Sequence, residues 1–214
     1  MPSLHQYHLE LKEVIALRYF TRGFQKLIFE SNRLMTRILL KNFESHPETI
    51  PLETNPNLGA GNGHAQSRDL TVLVPFLVLL RVGRCKSILD LGSGDGFVLK
   101  VAESVGFSRC YGVEADVTLC EISRRNLNRS IIYNEYFDDV QLEFFEKPVH
   151  LVYFFNPDLP VNMFNVCLKL RGLDCRYFLT KNHSFAPEST FALGIRLVLS
   201  TGNYRLYRAM GNSI

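Results

Sequence analysis

The chain has 214 residues, 46% of them apolar and 21% charged, which supplies enough apolar side chain for a buried core and excludes an intrinsically disordered segment. Its longest apolar run, 70–80, is interrupted by Thr71 and Pro75 and falls short of the roughly 20 residues that a membrane-spanning helix needs. The net charge of +3 is too small to indicate a nucleic-acid partner by itself.

The first segment, 1–47, reads as helical. Val14, Leu17, Phe20, Phe24, Leu27, Ile28, Leu34, Met35, Ile38 and Leu39 recur at steps of three and four, and no proline interrupts them. Lys12, Arg18, Arg22, Lys26, Arg33, Arg37 and Lys41 outnumber Glu10, Glu13, Glu30 and Glu44 by the same margin as the whole-chain excess. A solvated, mildly basic face that packs on the main domain is the simplest reading, with an acidic partner as the alternative. Residues 1–13 show no apolar core of a signal peptide. Cys85, Cys110, Cys120, Cys167 and Cys175 contain no C-x-x-C pair and are expected as free, buried thiols in a reducing compartment. Together these imply an intracellular protein, cytoplasmic or nuclear.

A Pro-, Asn- and Gly-rich linker spans 46–63, and the main domain is expected from residue 48 to 214. Ser67 or Asp69 is positioned to cap a helix running to about Arg81. From there strand and helix alternate. Strands are predicted at 87–91, 109–114, 150–155 and 176–180, and helices at 97–106, 117–128 and 161–171. A further strand falls within 131–137, with 140–145 as its rival. Near the end, 195–200 and 204–208 flank Thr201-Gly202-Asn203, a β-hairpin signal. The alternation implies an α/β fold, a mostly parallel sheet with helices on both faces, closed by one antiparallel strand.

Asp90-Leu91-Gly92-Ser93-Gly94-Asp95-Gly96 follows a predicted strand and opens a predicted helix, where an open α/β sheet binds its ligand. The next strand ends in Glu114, suited to accept hydrogen bonds from ribose hydroxyls. A dinucleotide fingerprint would need its third glycine at position 97, which is Phe97. Asp95 occupies the helix start, where a pyrophosphate would have to sit, and a carboxylate repels that anion. A cofactor carrying a sulfonium and an ammonium, and no phosphate, suits Asp90 and Asp95 better. A plain glycine turn is the competing reading.

Asp90 to Gly96 with Glu114 resembles motif I and the following acidic residue of class I S-adenosylmethionine-dependent methyltransferases. The resemblance implies a Rossmann-like sheet of seven strands with a terminal antiparallel hairpin and S-adenosyl-L-methionine as cofactor. Asp90, Gly92, Gly94 and Gly96 would hold its methionine part, with Ser93 and Asp95 in the same cofactor-binding loop, Glu114 would hold its ribose, and Asp138 its adenine amino group. Three stretches narrow the resemblance to the Dot1-type and other small class I protein lysine methyltransferases: 89–94, Val98-Leu99-Lys100-Val101-Ala102 and Tyr111-Gly112-Val113-Glu114. Ser67, Asp69 and Leu70, Asn156, and Phe185-Ala186-Pro187 belong to the same likeness. It implies a protein lysine acceptor.

Phe154-Phe155-Asn156-Pro157-Asp158-Leu159 lies where this class meets its acceptor. Asn156 and Pro157 are the candidate catalytic pair, with a strand-ending turn as the bland alternative. Enzymes of the class that act on planar nitrogens carry Asn-Pro-Pro-Tyr; Asp158 and Leu159 here argue against a flipped nucleobase. No metal site is expected: His5 and His8 share a helix face without a third ligand, and His64, His150 and His183 are scattered. Tyr133, Tyr136 and Phe137 read as core. Two further functions compete with the enzyme: a catalytically silent module that binds cofactor and a partner, and a Rossmann oxidoreductase.

Overall fold

The computed structural model describes residues 70–136, 139–155, 169–182 and 184–210. The N-terminal helical segment, the linker, the caps at Ser67 and Asp69, Cys167, and His5, His8, His64 and His183 lie outside the described residues. So do Phe137, Asp138, the segment Asn156 to Leu159, and most of the helix expected at 161–171.

The described elements are α1 (Leu70–Val82), β1 (Ser87–Leu91), α2 (Phe97–Ser104), β2 (Arg109–Glu114), α3 (Val117–Asn126), β3 (Ile131–Asn134), β4 (Leu151–Phe155), β5 (Tyr177–Lys181), α4 (Pro187–Leu193), β6 (Ile195–Thr201) and β7 (Tyr204–Ala209). They build one seven-stranded sheet in the order β3-β2-β1-β4-β5-β7-β6. The first five strands in that order run parallel, and β7 is antiparallel to both β5 and β6. Chain reversal at the hairpin therefore inserts the last strand between β5 and its own predecessor. The order changes direction between β1 and β4, so the crevice at the carboxyl ends of these strands is the ligand-binding position of such sheets.

Burial on both faces explains why the central strands read as almost continuous apolar runs. Ile88, Tyr153, Leu179 and Leu206 point to the face that holds Leu73, Phe76 and Leu77 of α1 and Phe97, Val98 and Val101 of α2. Leu89, Leu91, Val113, Val152, Phe154 and Phe178 point the other way, into a cluster with Val140, Phe145, Leu170, Leu173, Phe185 and Leu193. Asp90 lies between Leu89 and Leu91 and so shares the α1–α2 face.

Several boundaries move from expectation. α2 stops at Ser104 and α3 at Asn126, and the strand in the ambiguous region is 131–134, while 142–144 form a short 3-10 turn. The hairpin is in place. Helix α4 carries signals too short to register as periodicity: Pro187 in its first turn and Gly194 as a left-handed C-cap. Tyr136 corrects the expectation of a core residue, since it is 49% exposed. Tyr133 is half-buried and stacks on Phe144. Cys85, Cys110, Cys120 and Cys175 are buried thiols outside any disulfide.

One polar tie anchors the rear of the cofactor half. Glu103 of α2 accepts the amides of Asn128, Arg129 and Ser130 and the Ser130 hydroxyl. Burial opposes its charge, but those donors bring its carboxyl below the ordinary value. This side chain, with the Arg129 guanidinium on the Glu103 carbonyl, fixes the turn between α3 and β3 to α2.

Candidate functional site

The site begins with a backbone requirement. Between β1 and α2 the chain turns through Gly92, Gly94 and Gly96 at φ of 78°, 55° and 82°, all left-handed, a region that side chains with a Cβ enter only at a cost. The amides of Gly92 and Ser93 both donate to the Val113 carbonyl at 2.8 and 3.1 Å, which folds the loop over the end of β2. Close approach adds a second requirement at Gly96. A Cβ there would sit 2.5 Å from Ser123 Oγ and 2.9 Å from Leu127 Cδ1. At Gly94 a Cβ would meet nothing within 4 Å, so this part of the loop faces open space. Gly96→Ala is therefore expected to lower stability by about 2–4 kcal/mol, combining left-handed strain and overpacking. Gly94→Ala should cost only the strain, about 1–2 kcal/mol. Urea midpoints of the two variants check this; equal losses would remove the packing argument.

Three carboxylates gather around the loop. Asp90 is 2% exposed, and its carboxyl is held well above the ordinary range, first by burial and then by the charges of Glu114 and Asp95. Asp95 is buried, and its Oδ1 accepts the Phe97 amide at 3.2 Å, so the side chain occupies the start of α2. Glu114 accepts the Gly94 amide at 2.8 Å and the Asp116 amide at 2.9 Å. Burial raises its carboxyl, and these two amides oppose the rise. Asp116 itself caps α3 through Leu119.

Asp90, Gly92, Ser93, Gly94, Asp95, Gly96 and Glu114 thus meet at one place, the carboxyl ends of β1 and β2. Ser93 Oγ is buried there without a hydrogen-bond partner among the described residues. Asp138, Asn156 and Pro157 lie outside the described residues; Phe155, which precedes Asn156, ends β4 beside β1. Lys181 ends β5 one strand further on, its ammonium 5.4 Å from the Phe155 ring centre and 5.3 Å from that of Tyr204. Asn126, which no sequence pattern marks, donates to the Asp95 carbonyl at 2.9 Å.

The residues fit a ligand with a positive centre. Buried carboxylates repel one another and any phosphate, and a cation among them relieves that cost. The open side at Gly94 leaves room beside them. No group of His, Cys, Asp and Glu among the described residues is arranged to hold a metal ion. No helix among them is long and apolar enough to cross a membrane.

No protein-family model matches the chain. Two proteins named ribosomal protein L11 methyltransferase are similar to parts of it. That of Desulforapulum autotrophicum is 24% identical over 108 residues, 50% of this chain and 35% of that protein. That of Paraburkholderia phytofirmans is 32% identical over 84 residues, 39% of this chain and 27% of that protein. The match therefore spans about a third of the length of these relatives. Among solved structures, a candidate RNA methyltransferase from Pyrococcus horikoshii superposes with a TM-score of 0.52 at 16% identity, over 70% of this chain and 88% of that one. With the sheet order and the antiparallel hairpin, this likeness establishes that the described domain has the Rossmann-like fold of the class I methyltransferases.

Proposed function

We propose that the chain is an S-adenosyl-L-methionine-dependent methyltransferase that N-methylates a lysine of a protein. The observation that carries the reading is the gathering of Asp90, Asp95 and Glu114 around a glycine loop at the carboxyl ends of β1 and β2. A dinucleotide would bring its pyrophosphate to the start of α2, where the Asp95 carboxylate already takes the Phe97 amide. That disfavours an oxidoreductase.

Bound in this loop, S-adenosylmethionine supplies a methyl group on a sulfonium, open to in-line attack. The chain's part is to hold and align. Asp90 and Asp95 offer negative charge to the cationic centres. Glu114 would hold the ribose hydroxyls. Asp138 would serve the adenine amino group. Asn156 would orient the acceptor nitrogen, since a following proline disfavours the helical region for the residue before it. An acceptor lysine must first lose its proton, which apolar surroundings favour. The rate then comes mainly from alignment in a dry site.

A protein acceptor is supported by the likeness to enzymes named for ribosomal protein L11 and by the Dot1-type motifs, which suggest lysine. A second reading, a silent cofactor-binding module, draws on Asp158 and Leu159, which replace the second proline and the aromatic residue of Asn-Pro-Pro-Tyr.

Calorimetry with S-adenosylmethionine, S-adenosylhomocysteine and NAD tests the cofactor; tight NAD binding alone would sink it. Incubation with methyl-labelled cofactor and fractionated cell extract tests the acceptor. Label on protein lysine is the expected result. Label on RNA would move the acceptor to nucleic acid, and binding without any label would favour the silent module.

The charge arrangement also sets a pH dependence. Asp90 and Glu114 have folded-state values above 3.8 and 4.5, so their protonated forms stabilise the ligand-free fold. That contribution is full below those values and is lost as pH rises through the raised ones. A cationic ligand lowers both, so binding should release protons and tighten as pH rises through this window. Calorimetry at mildly acidic pH, in two buffers of different ionisation enthalpy, measures the proton count; net uptake would contradict the cationic-ligand argument.

A further inference from the structure

Asn126 is the last residue of α3 and is 4% exposed. Its Nδ2 donates to the Asp95 carbonyl at 2.9 Å, across 31 positions of sequence. Its own carbonyl accepts Lys100 Nζ at 2.7 Å, and the Lys100 amide donates to the Gly96 carbonyl at 2.9 Å. These three bonds close a circuit through the glycine loop, the start of α2 and the end of α3. Beside it, Ser123 and Leu127 fill the space that a Gly96 Cβ would need.

We propose that Asn126 is a positioning residue that orients the Asp95–Gly96 peptide and keeps loop 92–96 in its ligand-receiving shape before any ligand arrives. A loop with three left-handed glycines has many alternative conformations, and ordering it is entropically costly. Its tethers offset that cost. The Val113 carbonyl holds Gly92 and Ser93, the Glu114 carboxylate holds Gly94, and Asn126 holds Asp95. Under the methyltransferase reading, on which this step rests, ribose hydroxyls compete for Glu114. Asn126 is then a side-chain tether that keeps its loop partner when the site fills. Without that donor the Asp95–Gly96 peptide would turn toward another partner, carrying with it the Gly96 amide, which now donates to the Ser93 carbonyl at 3.0 Å.

Asn126→Asp tests this at nearly constant volume, replacing the donor with an oxygen that repels the Asp95 carbonyl. Two measurements are made: amide hydrogen exchange of the ligand-free protein, and calorimetric binding of S-adenosylhomocysteine. Exchange at residues 94–97 should accelerate at least tenfold while β4 and β5 keep their protection. The dissociation constant should rise at least tenfold. Lys100→Met removes a neighbouring leg of the circuit at a part-buried position, so it should shift both readings the same way by twofold to fivefold. It carries the test if Asn126→Asp fails to fold. Wild-type exchange and affinity in the folded variants would overturn the inference. So would acceleration spread evenly over the sheet, which is what a merely structural residue produces. If the wild type binds no nucleoside while the loop-confined acceleration remains, Asn126 keeps its positioning role and the methyltransferase reading falls.

Discussion

Glu114→Ala is expected to weaken S-adenosylmethionine binding by about 2–4 kcal/mol, because charged hydrogen bonds to two ribose hydroxyls are among the stronger single contributions a side chain makes. Two parts of that loss are separable. One is the missing contact with the ribose. The other is loosening of the loop, since the same carboxylate holds the amides of Gly94 and Asp116 at 2.8 and 2.9 Å. From the sequence alone, a strand-end carboxylate facing a cleft holds up little core and its removal leaves the fold intact. The ties to Gly94 and Asp116 add a local cost. The fold should still survive, because removing Glu114 also relieves the repulsion that raises Asp90. Calorimetry on the variant, with its melting temperature, distinguishes these outcomes. An unchanged dissociation constant in a folded variant would take Glu114 out of the site.

Asn156→Ala is expected to cut single-turnover methylation by orders of magnitude while leaving the cofactor dissociation constant nearly unchanged. Small misplacements of a reacting group are costly, whereas the cofactor is expected to be held by the ends of β1 and β2. Asn156 follows Phe155, the last residue of β4, and β4 pairs directly with β1 through Leu91 and Phe154. If Asn156 meets the acceptor, that side of the crevice begins one strand from Asp90. The measurement is a pair, rate and cofactor affinity, on wild type and variant. Equal rates would reduce Asn156 to a turn residue, and weakened cofactor binding without a separate rate loss would move it into the cofactor shell.

Local chemistry made much of this protein legible in its sequence. Alternating apolar runs and amphipathic segments announce the α/β class, because a strand buried on both faces and a helix buried on one leave different periodicities. The loop from Asp90 to Gly96 is readable because its glycines answer a backbone need that no other residue meets cheaply. Thr201-Gly202-Asn203 marks the hairpin for the same reason. What the sequence left open depends on partners far away along the chain. It does not say that β7 lies between β5 and β6, because that order depends on which sheet edge accepts the hairpin. The short stretch 131–145 offers too few periods to choose a strand; 131–134 prevails by pairing with β2. Asn126 looks like any polar helix end until the Asp95 carbonyl is brought to it across 31 positions. Glu103 looks like a solvated helix acid until the turn after α3 delivers its donors. The composition of the site was set by the sequence, residue by residue. The tertiary structure decided the burial of Asp90 and Asp95 beside the half-buried Glu114, because burial and repulsion exist only once distant segments share one volume.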